Sequence, residues 1–201
     1  MLASDQRDAR GVTNFRIGVS HGKVDFTDSL AEVIDQLTAR TAGGYSRYVV
    51  SVSRLQQLHP ADAIYLGYNR QWASKNLDTS AQFFLGGPDT VRGFDTGALS
   101  GSQGDLWTAE FRHDFHLPRM PGRWQATLFA DTGRVDVYKD AFAGGANSGR
   151  ASSAGVGLHW ATPDEWFVDV SASSPIGATP ALLDAADTGT RLWVQVRKGF
   201  Y

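Results

Sequence analysis

The sequence predicts an all-β protein, an antiparallel transmembrane β-barrel, on three observations. Apolar and polar side chains alternate in segments of about ten residues, the length of a tilted strand that crosses a bilayer. The connectors between these segments are alternately long and short, as they are in outer-membrane barrels. No run of 18 apolar residues occurs, which excludes helical membrane spans and leaves a closed barrel as the way to cross a membrane.

Eight strands are predicted, with bounds set by the alternation. They cover residues 12–26, 45–57, 63–73, 106–115, 124–134, 152–160, 166–172 and 190–201. The six tryptophans, at positions 72, 107, 124, 160, 166 and 193, lie near strand ends and fit the aromatic girdles of a membrane barrel. Alternation alone does not tell an apolar outer face from an apolar inner one, so a soluble meander or propeller is the alternative fold.

Four long connectors are predicted, at residues 27–44, 74–104, 135–149 and 175–189. If the last strand ends on the periplasmic side of the membrane, all four face the exterior. The first connector has Ser29 with Glu32 three residues later, and apolar residues recur at helical spacing at Leu30, Val33, Ile34 and Leu37. This pattern is compatible with a short capped helix and equally with an irregular loop.

The composition excludes several classes of protein. An apolar content of 42% argues against disorder, and a net charge of -2 with scattered basic residues lacks the footprint of a nucleic-acid binder. The absence of cysteine is compatible with the bacterial envelope. The first seven residues lack the apolar core of a signal peptide. If the protein is exported, we therefore expect this sequence to be a fragment of it.

One connector carries a compact pattern in place of ordinary turn residues. Residues 85–94 read Leu-Gly-Gly-Pro-Asp-Thr-Val-Arg-Gly-Phe. Gly86, Gly87 and Gly93 permit backbone angles that other residues avoid, and Pro88 fixes a further angle. We therefore expect a defined hairpin that presents Arg92, within a connector long enough to fold back into a pore.

This segment and its neighbours resemble a known family. Residues 85–94, followed by Gly-Asp-Leu-Trp-Thr-Ala-Glu-Phe at 104–111, are similar to the conserved loop and next strand of two-partner secretion transporters. These are the type Vb, haemolysin-activator or TpsB-type outer-membrane proteins. Residues 128–135 resemble the later strand of that family, which carries Phe-x-Asp-x-Gly, and residues 153–160 and the aromatic-ended last strand also fit.

The resemblance implies that residues 1–201 are the C-terminal part of a sixteen-stranded barrel, its last eight strands, with the motif loop at about 74–104. The N-terminal POTRA domains and the first barrel strands would then be absent from this sequence. The implied location is the bacterial cell outer membrane. On the lipid side, the common assembly signal needs a terminal aromatic residue, and either Phe200 or Tyr201 serves, depending on whether a bulge resets the alternation.

The function implied by the resemblance is a pore that moves a secreted partner exoprotein of haemolysin or haemagglutinin type to the cell surface. Arg92 would enter the lumen and pair with Asp131, and the alternation independently places Asp131 on the polar face with Gln125 and Thr127. The implied functional residues are Gly86, Gly87, Val91, Arg92, Gly93 and Phe94 in the motif loop, and Phe129, Asp131 and Gly133 as its lumen partner.

Partners implied by this reading are the exoprotein, outer-membrane lipid and, during biogenesis, the barrel assembly machinery. We expect no nucleic acid, cofactor, metal or catalytic residue. An assembly insertase of the same superfamily is the nearest alternative function, and a surface barrel hydrolase is a more distant one.

Catalytic alternatives find little support in the sequence. Asp-Thr-Gly, the aspartic-protease signature, occurs at residues 95–97, 131–133 and 187–189. The first two copies are too close for the two lobes that share the catalytic proton in that enzyme, and the third lies in a connector rich in glycine and alanine. The five histidines show no metal-ligand spacing.

Overall fold

A computed structural model describes residues 1–142, 144–178, 180–183 and 189–199. Within these residues the chain forms one helix, a 3-10 turn and eleven strands, and we number the strands in chain order. Their bounds are β1 (Leu2–Asp8), β2 (Gly11–Val24), α1 (Ser29–Leu37), β3 (Gly43–His59), β4 (Asp62–Ala73), the 3-10 turn (Thr79–Ala81), β5 (Phe83–Leu85), β6 (Leu99–Gly101), β7 (Gln103–Leu117), β8 (Met120–Asp136), β9 (Ser148–Ala161), β10 (Trp166–Pro175) and β11 (Arg191–Lys198).

Nine of the described strands form a single antiparallel sheet in the order β1-β2-β3-β4-β7-β8-β9-β10-β11. The short strands β5 and β6 pair separately, inside the connector between β4 and β7. The predicted all-β antiparallel fold is confirmed. Every sheet neighbour is also a neighbour in the chain once this connector is set aside, which is the simplest topology for a meander.

The predicted number of eight strands is wrong, because the main sheet has nine described strands and β1 was missed, and β5 and β6 inside the connector were not predicted either. Strand β1 pairs with β2 from Leu2 opposite Ile17 to Asp8 opposite Gly11. Its sequence, Leu-Ala-Ser-Asp-Gln-Arg-Asp, has almost no apolar alternation, and all its residues are exposed. Main-chain pairing across a tight turn forms this strand, and such pairing leaves no signal in side-chain hydropathy. Phe200, Tyr201 and part of the third Asp-Thr-Gly lie outside the described residues.

The outer face of the sheet is apolar and exposed. The side chains of Leu66 on β4, Trp107 on β7, Leu128 on β8, Val156 on β9 and Val194 on β11 project from the same face, and each is more than half exposed. Aromatic pairs lie toward both ends of the strands. Tyr68 and Trp107 have ring centroids 4.2 Å apart, and Trp124 and Trp160 are 5.3 Å apart. A continuous apolar surface of this kind requires an apolar environment around it.

The described part of the chain contains no helix that is both long and apolar enough to cross a membrane.

Helix α1 forms in the first long connector, where the sequence left a helix and an irregular loop equally open. Its N-cap is Asp28, not Ser29 as the capping-box pattern suggested, because the Asp28 carboxylate accepts a hydrogen bond from Leu30 N at 2.8 Å. The apolar residues Leu30, Val33, Ile34 and Leu37 are exposed. The opposite, polar side of the helix is attached to the protein.

Asp35 makes this attachment. Its carboxylate accepts hydrogen bonds from Thr41 N at 2.9 Å, Thr41 Oγ1 at 2.8 Å and Ala42 N at 2.9 Å. Burial raises the pKa of Asp35, but these hydrogen bonds, first those from the Ala42 and Thr41 amides, outweigh burial and lower the pKa below its ordinary value. The charged carboxylate therefore fixes the end of the helix.

Asn76 joins three long connectors at one end of the sheet. Its Nδ2 donates to Ala39 O at 2.7 Å and to Asp140 O at 2.9 Å, while its Oδ1 accepts from Asp140 N at 2.8 Å. The residue is only 3% exposed. A buried amide whose donors and acceptor are all used holds its partners more firmly than an exposed one, because water does not compete.

We predict that the attachment of α1 depends on pH. The folded pKa of Asp35 is lowered, so its contribution is complete at neutral pH and is lost as the pH falls below about 4, through the folded value. Amide hydrogen exchange at Thr41 and Ala42, corrected for intrinsic rates, should accelerate in that range. Asp35→Asn should accelerate it at pH 7 and remove the pH dependence. The control Glu32→Gln, on the exposed side of α1, should leave both amides protected. Unchanged exchange in Asp35→Asn would contradict this account.

Candidate functional site

The connector between β4 and β7 folds back against the concave face of the sheet. Strands β5 and β6 pair from Phe83 opposite Gly101 to Leu85 opposite Leu99 and form the stem of a hairpin. At its tip, Gly86 and Gly87 have φ angles of +101° and +104°, which other residues rarely adopt. Gly87 N donates to the carbonyl of Phe94 at 2.9 Å and closes the turn. We call residues 83–101 the docked loop.

Apolar side chains pack the docked loop against the concave face of the sheet, and we call the part of this face on β7, β8 and β9 the wall. They form one buried cluster in which no side chain is more than 4% exposed, made up of Leu85, Val91, Phe94 and Leu99 from the loop and Leu106, Val135 and Ala151 from β7, β8 and β9. Burying such side chains stabilises the contact by about 1.5–3 kcal/mol each. Val91 and Phe94 of the predicted motif therefore serve as apolar anchors on either side of Arg92.

Two glycines of the predicted site allow the loop and the wall to approach closely. A Cβ on Gly133 of β8 would lie 2.7 Å from both δ-methyl groups of Leu85. A Cβ on Gly93 would lie 2.6 Å from the Cβ of Ser153 and 2.9 Å from Pro175 N. Both separations are shorter than van der Waals contact, so a side chain at either position would push the loop away from the wall.

Arg92 lies between the loop and the wall, with its guanidinium on Asp131. Its Nε donates to Asp131 Oδ2 at 2.8 Å and its Nη2 donates to Oδ1 at 2.9 Å, the two-point geometry that a guanidinium and a carboxylate share. The main-chain N of Arg92 also points to Oδ2, at 3.3 Å. The side chain of Asp131 has no exposed surface, and that of Arg92 is 13% exposed.

The guanidinium has two further partners. Its Nη1 lies 2.8 Å from Glu110 Oε1, and its Cζ lies 3.4 Å from the ring centroid of Phe129. Glu110 in turn accepts from Arg112 Nε at 2.8 Å. The sequence analysis did not select Glu110. Its place on the polar face of a strand was visible, but its position directly opposite Phe129 follows only from the register of β7 and β8.

The main chain of Arg92 is held from another side. Its carbonyl accepts hydrogen bonds from Ser173 Oγ at 2.5 Å and from Trp193 Nε1 at 2.8 Å. The prediction that Trp193 belongs to an aromatic girdle is wrong. Its neighbours Leu192 and Val194 occupy the exposed apolar face, so alternation turns Trp193 to the concave face. At the loop tip, Asp95 pairs with Arg191 Nε at 2.7 Å in an exposed position.

A cavity of about 490 Å³ lies beside the docked loop on the concave face. Its lining is rich in charged groups of both signs, contributed by Glu110, Arg112, Asp131, Asp169 and Arg197. Within the described residues, no group of three or more His, Asp or Glu side chains is arranged to hold a metal ion. The surface of the cavity is therefore polar and carries charges of both signs.

An antiparallel sheet with an apolar outer face, a polar concave face and a long connector docked inside defines an outer-membrane β-barrel protein. Comparison with known proteins identifies the family. The sequence model of the haemolysin secretion/activation family ShlB/FhaC/HecB matches residues 5–160, and the chain belongs to this family. The resemblance to two-partner secretion transporters is confirmed, and with it the location in the outer membrane.

Individual relatives agree with the family. The heme/hemopexin transporter protein HuxB of Haemophilus influenzae strain Rd is 29% identical over 170 residues, 83% of this chain and 30% of the relative. The same protein of strain 86-028NP is 31% identical over 160 residues, 78% of this chain and 27% of the relative. The chain thus spans about 30% of the length of the curated relatives it matches.

Among solved structures, CdiB from Escherichia coli has the same fold. It superposes with a TM-score of 0.74 at 21% sequence identity, over 96% of this chain and 34% of the CdiB chain.

We predict that Gly93→Ala releases the docked loop. The added Cβ would overlap Ser153, and overpacking of this kind costs about 1–3 kcal/mol. A cost near the middle of this range lowers the ratio of docked to undocked loop about tenfold. Trypsin should then cleave after Arg92 about ten times faster, as followed by mass spectrometry of the folded protein in detergent. The matched control is Gly157→Ala on β9, where the nearest atoms would lie 3.6–3.7 Å from the new Cβ and cleavage should not change. Equal cleavage in both variants would contradict the prediction.

Proposed function

We infer that the protein is an outer-membrane pore that moves a secreted partner exoprotein to the cell surface, with the motif loop docked in its lumen on Asp131. The observation that carries this proposal is the two-point contact of Arg92 with a fully buried Asp131, beside a polar cavity on the concave face. Membership of the haemolysin secretion/activation family supports the same function.

The long connectors then face the cell exterior and the short turns face the periplasm. POTRA domains N-terminal to the barrel would bind the unfolded exoprotein and deliver it to the pore. A lining with charges of both signs suits a passing polypeptide, because it offers weak contacts to many side chains and strong contacts to none. No phosphate-binding loop occurs in the sequence, so folding of the exoprotein at the surface would supply the drive. The names of the Haemophilus relatives make a heme- or hemopexin-binding exoprotein one candidate partner.

The energetics distinguish the ion pairs of Arg92 from the ion pair of Asp95. Removing the Arg92 side chain leaves Asp131 charged and buried without its cationic partner, which costs about 3–5 kcal/mol. Glu110 loses a partner in the same step but retains Arg112. The pair between Asp95 and Arg191 is different, because the Asp95 side chain is 66% exposed and such a pair contributes about 0–1 kcal/mol. The docked position therefore depends on Arg92.

Lipid would cover the apolar outer face, and the barrel assembly machinery would insert the protein during biogenesis. The proposed role is transport without catalysis. On the concave face His159 Nδ1 lies 2.5 Å from Asp169 Oδ1, and the other oxygen of the same carboxylate lies 3.2 Å from Arg197 Nη2. An assembly insertase of the same superfamily is the remaining alternative, and the family match to secretion/activation proteins favours the transporter.

We predict that Arg92→Ala impairs secretion of the exoprotein while the barrel still folds. The expected loss is more than tenfold, since the docked state loses about 3–5 kcal/mol. Secreted exoprotein in the medium measures function, and the mobility shift of folded against heated barrel on gels measures assembly. The matched control is Asp95→Asn, which removes only an exposed pair and should secrete normally. Adding Asp131→Asn to Arg92→Ala should cause no further loss, because it removes the unpaired buried charge. Normal secretion by Arg92→Ala, or failure of its barrel to assemble, would refute the role given to Arg92.

A further inference from the structure

We propose that Ser173 and Trp193 are positioning residues that hold the main chain of Arg92 and couple docking of the loop to the hairpin of β10 and β11. The proposal rests on the proposed function, because it assigns these residues a part in holding the loop that the pore requires. It concerns a second set of contacts, distinct from the ion pair between Arg92 and Asp131.

The two donors converge on a single carbonyl oxygen. Ser173 Oγ and Trp193 Nε1 lie 2.5 Å and 2.8 Å from Arg92 O, and a carbonyl oxygen has two lone pairs to accept them. Ser173 is 2% exposed. Trp193 lies opposite Ser171, two residues along from Ser173 on the same face of the hairpin, which brings both donors to one point. The two donors meet at one oxygen because the pairing register of β10 and β11 places Trp193 beside Ser173.

The contacts of residues 92 and 93 cross five neighbouring strands. The guanidinium of Arg92 binds Glu110 on β7 and Asp131 on β8. Gly93 packs against Ser153 on β9, and the Arg92 carbonyl binds Ser173 on β10 and Trp193 on β11. Any movement of β10 and β11 away from β8 must therefore break either the side-chain or the main-chain contacts of Arg92.

The main-chain contacts do not depend on the side chain at position 92. The donors bind an oxygen that every residue has, so Arg92→Ala removes the ion pair and keeps the contacts to Ser173 and Trp193. The ion pair and the main-chain contacts each add to the stability of the docked loop, beside the apolar cluster. Removal of a donor should therefore loosen the loop even where the ion pair with Asp131 is intact.

The absence of cysteine in the sequence permits a direct test of docking. Ser153→Cys places one thiol on β9 beneath Gly93, at a fully buried position. The Ser153 hydroxyl has no hydrogen-bond partner among the described residues, so its replacement removes no hydrogen bond. A maleimide reagent should reach this thiol only when the loop leaves the wall. Its labelling rate in the protein at natural full length, measured by mass spectrometry on the peptide that carries residue 153, then reports undocking.

In the Ser153→Cys background we expect Trp193→Phe and Ser173→Ala each to raise the labelling rate about two- to tenfold, the value of one hydrogen bond. The two changes together should raise it further, and addition of Arg92→Ala should raise it most. The matched control is Ser171→Ala, on the same strand and face as Ser173 and two residues away, which should label at the starting rate. Labelling in denaturant gives the upper limit.

Labelling and secretion are read separately. The positioning role would be overturned if Trp193→Phe and Ser173→Ala each label at the rate of the Ser153→Cys protein alone. This conclusion would hold whether or not these variants secrete the exoprotein normally. The same result in Ser171→Ala as in Ser173→Ala would also overturn the positioning role, because the effect would then not depend on the Arg92 carbonyl. Raised labelling with fully normal secretion in Trp193→Phe and in Arg92→Ala would uphold the positioning role and would instead refute the proposed function of the docked loop.

Discussion

The buried guanidinium of Arg92 sets the constraint that the rest of the concave face satisfies. A charge removed from water is tolerated only beside opposite charge and with its hydrogen bonds made. Asp131 and Glu110 supply both, and Phe129 covers the plane of the guanidinium. Glu110 on β7 and Asp131 on β8 hold the Arg92 guanidinium at one place on the sheet. The position of Arg92 therefore sets the position and the orientation of the docked loop. The apolar cluster stabilises the docked loop without fixing its orientation, whereas the ion pairs of Arg92 fix that orientation.

Close approach is the second requirement, and glycine meets it on both surfaces. Gly93 of the loop and Gly133 of the wall leave room in which a methyl group would overlap its neighbours. At Gly86 and Gly87 the need is different, because there the backbone turns through positive φ. The same residue type thus serves two physical purposes within one motif, and only the structure separates them.

Much of the fold could be predicted from the sequence, because alternation reports which face each residue occupies. Asp131 was placed on the polar face in this way, and the resemblance named it as the partner of Arg92. Glu110, Ser173 and Trp193 were missed for physical reasons. Contacts to a main-chain carbonyl leave no pattern of residue types, and convergence from separate strands depends on register. Strand β1 was missed because main-chain pairing forms it without apolar alternation.

Asn76 has a consequence for the mechanics of the outer rim. Its one amide group joins the connector that carries α1, the connector that enters the concave face and the connector after β8. Three segments that are far apart in the chain are thereby hydrogen-bonded to one another through a single side chain. The connector that carries the docked loop is thus attached to both of its neighbouring connectors at this end of the sheet.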